Sequence, residues 1–192
     1  MAVSTGVVSS APVIRWGNLG WVAVALAVMI AAIEADNLWF LNFVHVMAGV
    51  LWTGIDLFMG FVLGPIQRRL DLPSRRALVT RLMPRTLFLM PTLATITGTA
   101  GSALASRMGF YDLDYPGKAW VIASLAILAI LTIQGLFILL PVNVRVCFEI
   151  AKENPDLEKV SRRMKLYVRM VAFQGAMQVA MIAIMARFAT GL

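Results

Sequence analysis

The residues best suited to chemistry lie in one apolar stretch, 38–66, which contains the only histidine of the chain, His45, together with an acid, Asp56. An imidazole ligates metals and exchanges protons near neutral pH. The stretch exceeds the ~20 residues that carry a helix across ~30 Å of hydrocarbon, so both side chains are predicted to lie within a membrane. An ionisable group is costly there, and this cost favours a functional role. The simpler interpretation is that His45 makes a hydrogen bond across a helix interface and that Asp56, toward the inner end, pairs with a basic loop.

The same stretch divides into two faces when it is wound as a helix. One face combines small, polar and aromatic side chains at helical spacing: His45, Gly49, Trp52, Asp56 and Gly60. The other face carries only apolar side chains: Val46, Val50, Leu57 and Phe61. Contacts between membrane helices favour small and polar residues, whereas lipid accepts apolar ones. We expect the first face to turn toward other helices and the second toward lipid.

The composition indicates an integral membrane protein. Of the 192 residues, 60% are hydrophobic and only 14% are charged, and the mean hydropathy is +0.81. These values exclude soluble enzyme folds. The net charge of +7 would suit nucleic acid in a soluble protein. In a membrane protein, excess Lys and Arg reflects orientation and contact with anionic lipid, so the predicted partner is membrane lipid and not nucleic acid.

Five transmembrane helices are predicted, and they lie at about 18–34, 38–66, 86–106, 119–143 and 167–188. The first apolar run also suits a signal peptide, but we assign it as a spanning helix that follows a loose tail. The third helix contains threonines and glycines that allow close packing or interhelical hydrogen bonds: Thr95, Thr97, Gly98, Thr99 and Gly101. The last two helices carry amides at Gln134, Gln174 and Gln178. We expect one all-α membrane domain over 1–192, a four-helix bundle with the N-terminal helix added outside.

Two basic segments, 67–85 and 144–169, are predicted to be loops, the first of them partly helical. They hold six and seven of the 17 basic residues, and Arg15 lies on the same side. Three basic residues remain for the other side: Arg107, Lys118 and Arg187. The positive-inside rule makes the richer side cytoplasmic, so the N-terminus is predicted inside and the C-terminus outside. In this orientation His45 lies ~10 Å below the outer surface, in the same leaflet as Lys118.

A weak internal repeat relates the two halves of the chain. The second helix ends in Gly64-Pro65-Ile66-Gln67-Arg68, and the fourth ends in Leu140-Pro141-Val142-Asn143-Val144-Arg145. Each leads through a basic segment into a helix that begins with an arginine, Arg85 or Arg169. Two hairpins of the same orientation would pack as a four-helix bundle.

The segment FVHVMAGVLWTG, residues 43–54, resembles the pattern H-x-x-(A/G)-x-x-x-W-x-G. This pattern opens a group of small bacterial membrane proteins. The group includes the haem-containing membrane protoporphyrinogen oxidases, the membrane region of bacterial urate oxidases and the copper-resistance D-type proteins. The third helix, with Met90-Pro91, Thr95 and Gly98 or Gly101, is similar too, and the resemblance covers roughly 40–140. It implies a protein of the bacterial inner membrane.

In the first of those families the matching histidine is a haem b ligand, and a lysine near the start of a later helix is also essential. The resemblance therefore implies that His45 is an axial ligand of haem b, with Gly49 and Trp52 lining the pocket. Lys118 is the candidate for the lysine. The aromatic and basic pattern that follows the tryptophan in the protoporphyrinogen oxidases is missing from this chain, so their substrate is not implied.

Haem also suits the residues on chemical grounds. Imidazole binds haem iron, and a helical bundle supplies an apolar slot in which Gly49 leaves room for the porphyrin. With one histidine in the chain, the second axial position falls to Met, Lys, water, a vacancy or a histidine of another copy. Copper is the less favoured metal, because a methionine row at helical spacing is ordinarily packing. That row consists of Met170, Met177, Met181 and Met185.

Three functions remain open on the sequence. The leading one is a haem b-binding membrane redox protein, either an oxidoreductase or an electron-transfer subunit, acting with a redox partner or as a homo-oligomer. The second is a small transporter or channel with a polar path through Asp56, Gln134, Gln174 and Gln178, gated by His45. The third is a structural membrane subunit that anchors a partner through the basic segments.

Overall fold

The chain folds into five helices in the computed structural model, which describes residues 14 and 16–191, and these residues contain no strand. The helices are α1 Asn18–Glu34, α2 Leu38–Arg69, α3 Leu72–Arg107, α4 Gly117–Ile150 and α5 Leu157–Ala189. Helices α2 to α5 are each long and apolar enough to cross a membrane, and α1 is a shorter apolar helix of 17 residues. The predicted all-α fold is confirmed, and it fits a multi-pass membrane protein. The predicted loose tail lies outside the described residues except for Ile14 and Trp16.

Helices α2 to α5 form an up-and-down bundle because the connections between them are short. Helix α2 packs against α3 and α5, and α4 packs against the same two neighbours, so α2 and α4 lie diagonally across the bundle. Helix α1 rests outside on α2 and α3. The predicted arrangement of a four-helix bundle with an additional N-terminal helix is therefore confirmed.

The prediction of loops at 67–85 and 144–169 is wrong for most of their length. Helix α2 continues to Arg69 and α3 already begins at Leu72, while α4 continues to Ile150 and α5 begins at Leu157. Hydropathy marks where a helix leaves the apolar layer and not where it ends, and Arg, Lys, Leu and Met all favour helix. A helix of 34 residues is about 51 Å long, so α4 extends well beyond ~30 Å of hydrocarbon.

The helical parts of 67–85 and 144–169, called the helical extensions below, belong to an apolar core of their own. Buried side chains from all four bundle helices meet there, among them Met59, Met83, Val146, Val160 and Met164. A second core, around Leu41, Ala48, Trp52, Ile96 and Leu131, fills the other end of the bundle. The extensions are thus packed structure and not loose charged segments.

Both helices of the predicted repeat change from α to π geometry just before their proline. The π turn is Phe58–Leu63 in α2, ahead of Pro65, and Gly135–Leu139 in α4, ahead of Pro141. A proline lacks the N–H of a regular helical bond and its ring crowds the preceding turn, and a wider turn accommodates both effects. The shared geometry supports the repeat that the sequence predicts.

The two faces predicted for α2 are present in the bundle except at Leu57. Trp52, Asp56 and Gly60 are buried and His45 and Gly49 are partly buried, whereas Val46, Val50 and Phe61 are exposed. Leu57, predicted to face lipid, is half-buried and contacts α5 at Gly175. Gly60 permits a close approach of the α5 backbone, because a Cβ added there would lie 2.6 Å from the Ala172 Cα. The polar face of α2 therefore turns inward, and its small residues bring α5 close.

Candidate ligand cavity

The His45 ring is held by the backbone of α3. Its Nδ1 lies 2.9 Å from the Thr97 carbonyl oxygen. A carbonyl oxygen only accepts, so Nδ1 carries the hydrogen in this bond. In the neutral ring Nε2 is then left with a free lone pair, and it has no hydrogen-bond partner among residues 16–191. Metal-ligating histidines typically show this arrangement, with one ring nitrogen anchored and the other open.

Gly101 makes room for this contact. A Cβ at position 101 would lie 2.6 Å from Cε1 and 2.8 Å from Nδ1 of His45. The ring therefore lies directly against the glycine, one turn beyond the carbonyl that it contacts. A glycine at this place is required by the imidazole of the neighbouring helix.

His45 lines a partly open cavity of about 750 Å³, to which all four bundle helices contribute residues. This volume lies within the range of ligand pockets, ~300–1,000 Å³. Gly49, Gly98 and Gly101 form part of the wall, and most of the remainder is apolar. Two stacked rings, Phe110 and Phe188, with centroids 4.7 Å apart, lie at the end of the cavity nearest the α3–α4 connection. The cavity is suited to a large and mainly apolar ligand.

Asp56 belongs to a buried polar cluster further along α2. Its side chain is 1% exposed, and its Oδ2 accepts a hydrogen bond of 2.8 Å from Gln174 Nε2. The cluster also contains Trp52 and Gln178. Several of its atoms have no hydrogen-bond partner within the described part of the chain: Trp52 Nε1, Asp56 Oδ1, Gln174 Oε1 and both amide atoms of Gln178. Unpaired donors and acceptors at one place are the surroundings that buried water or a polar ligand requires.

A second cavity, of about 560 Å³, borders this cluster. Asp56, Gln174, Thr86, Asn143 and Tyr167 contribute polar atoms to its wall. Five residues line both cavities: Trp52, Gly98, Ser102, Leu128 and Leu131. The two spaces therefore adjoin, with Trp52 at the boundary between them.

Other residues that the sequence singles out lie elsewhere. Gln134 is buried and donates from Nε2 to the Met170 carbonyl at 2.6 Å, and it lines neither cavity. Lys118 is exposed and lies outside the His45 cavity, because Gly117 and Val121 occupy the buried face of that helical turn. A role for Lys118 as the lysine that the resemblance implies stays a prediction.

The two arginines at the predicted starts of the third and fifth helices are both exposed and lie within longer helices. Arg85 donates to the carbonyl of Arg81 within α3, whereas Arg169 lines a small basic cavity at the end of the bundle opposite His45.

The methionine row divides between packing and cavity. Met170 and Met177 pack against the two apolar cores, whereas Met181 and Met185 line the His45 cavity, as does Met108. No cluster of three or more His, Cys, Asp or Glu side chains suited to a metal ion occurs among residues 16–191.

Two residues of the site were not identified as site residues from the sequence. Thr97 and Gly101 belong to the threonine- and glycine-rich run of the third helix, which predicts close packing or interhelical hydrogen bonds. This run is the sequence signal that indicates Thr97 and Gly101. Which of its members contacts His45 depends on how α2 and α3 are aligned, and one sequence does not contain that information.

A comparison of the chain with known protein families, with curated proteins and with solved structures gives no match. The fold and the cavity therefore define the class: a helical bundle of the multi-pass membrane type with a histidine-lined cavity of ligand size.

Proposed function

We propose that the protein binds haem b in the cavity beside His45, as a membrane redox protein that acts as an oxidoreductase or an electron-transfer subunit. The observation that carries the proposal is the His45–Thr97 hydrogen bond. It fixes the ring and leaves Nε2 as the free ligand atom of a residue that lines a cavity of about 750 Å³. The sequence resemblance to haem-binding bacterial membrane proteins points to the same cofactor.

The residues that line the cavity are of the types that haem requires. An apolar wall suits the porphyrin, and the glycines Gly49 and Gly98 allow a flat ring to approach the helix backbone. Three methionines also line the cavity, Met108, Met181 and Met185, and their thioethers could help His45 to hold the iron, whereas Lys118 lies outside the cavity. Bound haem would supply one-electron chemistry, while the chain holds the imidazole in one tautomer through the Thr97 carbonyl.

We further propose that the protein lies in a bacterial inner membrane with the helical extensions in the cytoplasm. The asymmetry of the basic residues supports this orientation. It places His45 toward the outer side of the membrane.

The test is the absorption spectrum of protein purified from haem-sufficient cells, in wild type and in His45→Ala. A Soret band is expected in the wild type and a large loss of haem in the variant, with the bundle intact by circular dichroism. Lys118→Ala is the matched control, since this exposed residue lies outside the cavity, and it should retain haem. Absence of a Soret band in the wild type would end the proposal. Metal analysis of the same preparation distinguishes iron from copper.

A second candidate function is transport of a small polar solute or proton. The observation in its favour is that the two cavities adjoin at Trp52 beside the unpaired polar atoms of Asp56, Gln174 and Gln178. A polar cluster between two spaces, one toward each end of the bundle, provides part of a path across a membrane. Flux into proteoliposomes that is lost in Asp56→Asn, together with a wild type that lacks haem, would favour this function.

A further inference from the structure

A small basic cavity lies at the opposite end of the bundle from His45, between the end of α2 and the first half of α5. Its volume is about 170 Å³. Apolar atoms form most of the surface that faces it, but six of its nine lining residues carry a polar or charged group: Gln67, Arg68, Arg75, Ser161, Lys165 and Arg169. Four of these six are cationic and none is acidic. A space of this size holds several water molecules or one compact anion.

Arg75 forms a fixed part of the wall. Its Nε donates to the Gln67 carbonyl at 3.0 Å, and its Nη2 donates to the carbonyls of Arg68 and Leu70, both at 3.1 Å. Its Nη1 donates to Ser161 Oγ at 3.0 Å. The side chain thereby caps the free carbonyls at the end of α2 and ties them to α5. Because a guanidinium has five N–H groups, one on Nη1 remains unused.

The other cations of the cavity have no acidic partner. Arg68, Lys165 and Arg169 are exposed. None of the three lies within 4.0 Å of a carboxylate in residues 16–191, because the five ion pairs found there involve other cations. Gln67 is 5% exposed, and its Nε2 has no hydrogen-bond partner in the same part of the chain. Several like charges around one space repel one another, and a buried amide without a partner is costly. An anion that accepts hydrogen bonds would offset both costs.

We propose that this cavity binds a phosphate group, carried either by an anionic lipid headgroup or by a soluble phosphate. Phosphate presents several acceptor oxygens to the planar fork of an arginine and to the point charge of a lysine, the two cation types of the wall. The cavity also lies where the apolar stretch of α2 ends, at the level expected for lipid headgroups, where basic residues attract anionic lipid. The proposal is independent of haem at His45.

The experiment measures binding to the purified full-length protein in detergent. The probes are dioleoylphosphatidylglycerol and dioleoylphosphatidylcholine in mixed micelles, and inorganic phosphate. Binding is followed by the shift of the thermal unfolding midpoint. The site variant is Lys165→Ala/Arg169→Ala, and the matched control is Arg69→Ala/Arg81→Ala. The control removes the same charge from exposed arginines that lie outside the cavity.

Wild type and control are expected to bind phosphatidylglycerol, and the site variant should bind it about thirtyfold more weakly, from ~1 kcal/mol for each cation removed. Stabilisation by phosphatidylglycerol with none by inorganic phosphate identifies a lipid site. Stabilisation by inorganic phosphate that the site variant loses identifies a soluble ligand. An equal loss of binding in both double variants, or no effect of either anion on the wild type, would overturn the proposal.

Discussion

The His45 imidazole and the Gly101 backbone are in direct contact, so closely that a Cβ on residue 101 would lie 2.6 Å from the ring. The contact fixes where the ring can lie, and the 2.9 Å hydrogen bond to the Thr97 carbonyl fixes how it is turned. The two interactions together orient one imidazole from the backbone of a single neighbouring helix. The geometry of the proposed ligand therefore depends on α3 as much as on α2.

Gly101→Ala is expected to displace the ring and break the Thr97 hydrogen bond. Loss of the partner that orients a ligating histidine typically weakens metal affinity ~10–100-fold, and we expect a comparable fall in haem affinity. The control is Gly54→Ala, because a Cβ at position 54 meets nothing within 4 Å. Haem titration of both variants is the measurement. Equal haem affinity in the two would show that Gly101 does not orient His45.

Replacement of Asp56 should affect stability and leave any haem spectrum unchanged. Asn keeps an acceptor for Gln174 Nε2, whereas Leu leaves that buried amide without its one partner. We expect Asp56→Leu to be less stable than Asp56→Asn by about 1 kcal/mol, within the range for interhelical hydrogen bonds in membranes. The spectrum should not change because Asp56 lies about 16 Å along α2 from His45. Denaturation curves and absorption spectra of both variants test this, and a shifted Soret band in either would contradict it.

Within the helical extensions, the Glu149 carboxylate at the end of α4 forms ion pairs with three cations, two of which belong to α5. Glu149 is within 3.0 Å of Lys152 Nζ and 3.7 Å of both Lys159 Nζ and Arg163 Nη1. It lies beyond the apolar segment of α4. The hydrogen bond from Lys152 is the main reason why the pKa of Glu149 lies below its ordinary value of 4.5. Asp156 caps α5 by accepting from the Lys159 N–H, which likewise lowers its pKa.

These lowered pKa values predict loss of stability in acid. A carboxylate with a lowered folded-state pKa contributes fully above its unfolded-state pKa, and the contribution disappears as pH falls through the folded-state value. The thermal unfolding midpoint of the wild type should fall as pH drops below about 4.5, and Glu149→Gln should make this fall smaller. Asp156 should account for part of the acid-induced fall that the variant still shows. Glu153→Gln is the control, since Glu153 is exposed and forms no ion pair within residues 16–191. Identical acid profiles for the two variants would argue against a role for the Glu149 ion pairs.

The proposed orientation predicts which side of the membrane exposes the α3–α4 connection. Cys147, the only cysteine, is buried in the core of the extensions, so it can be replaced by Ala and a single new cysteine placed at Asp112. A membrane-impermeant maleimide should label position 112 from outside intact cells, because the basic extensions are inside. A cysteine at exposed Glu153 is the opposite control and should react only after lysis. Labelling of position 153 alone in intact cells would reverse the orientation.

The number of helices and their packing could be predicted from the sequence because apolar length and polar faces are local properties. Helix ends could not be predicted in the same way. Arg75 shows why: in the sequence it is one more charge in a basic segment, yet its guanidinium caps α2 and contacts Ser161 of α5. The contact with Ser161 joins residues 86 positions apart, and a local sequence pattern does not contain it.

The candidate site was predictable on α2 and unpredictable on its neighbours. The spacing of His45, Gly49, Trp52 and Asp56 identifies the inward face, since one helix fixes it. Lys118 was chosen by its position along the chain, whereas the lining of the cavity depends on which way the first turn of α4 faces, and there Val121 lines it. To identify Thr97 and Gly101 as contacts of His45, one would have to know how α2 and α3 are aligned, and a single sequence does not contain this.

The π turns before Pro65 and Pro141 have a consequence for the symmetry of the cavity. His45 precedes Pro65 by twenty residues, and the residue twenty before Pro141 is Val121. Val121 lines the same cavity from the diagonally opposite helix. The two hairpins thus present equivalent positions to one space, with an imidazole on one side and an isopropyl group on the other. Two hairpins with the same π turn before a proline thus bound the cavity, and the single imidazole makes it one-sided.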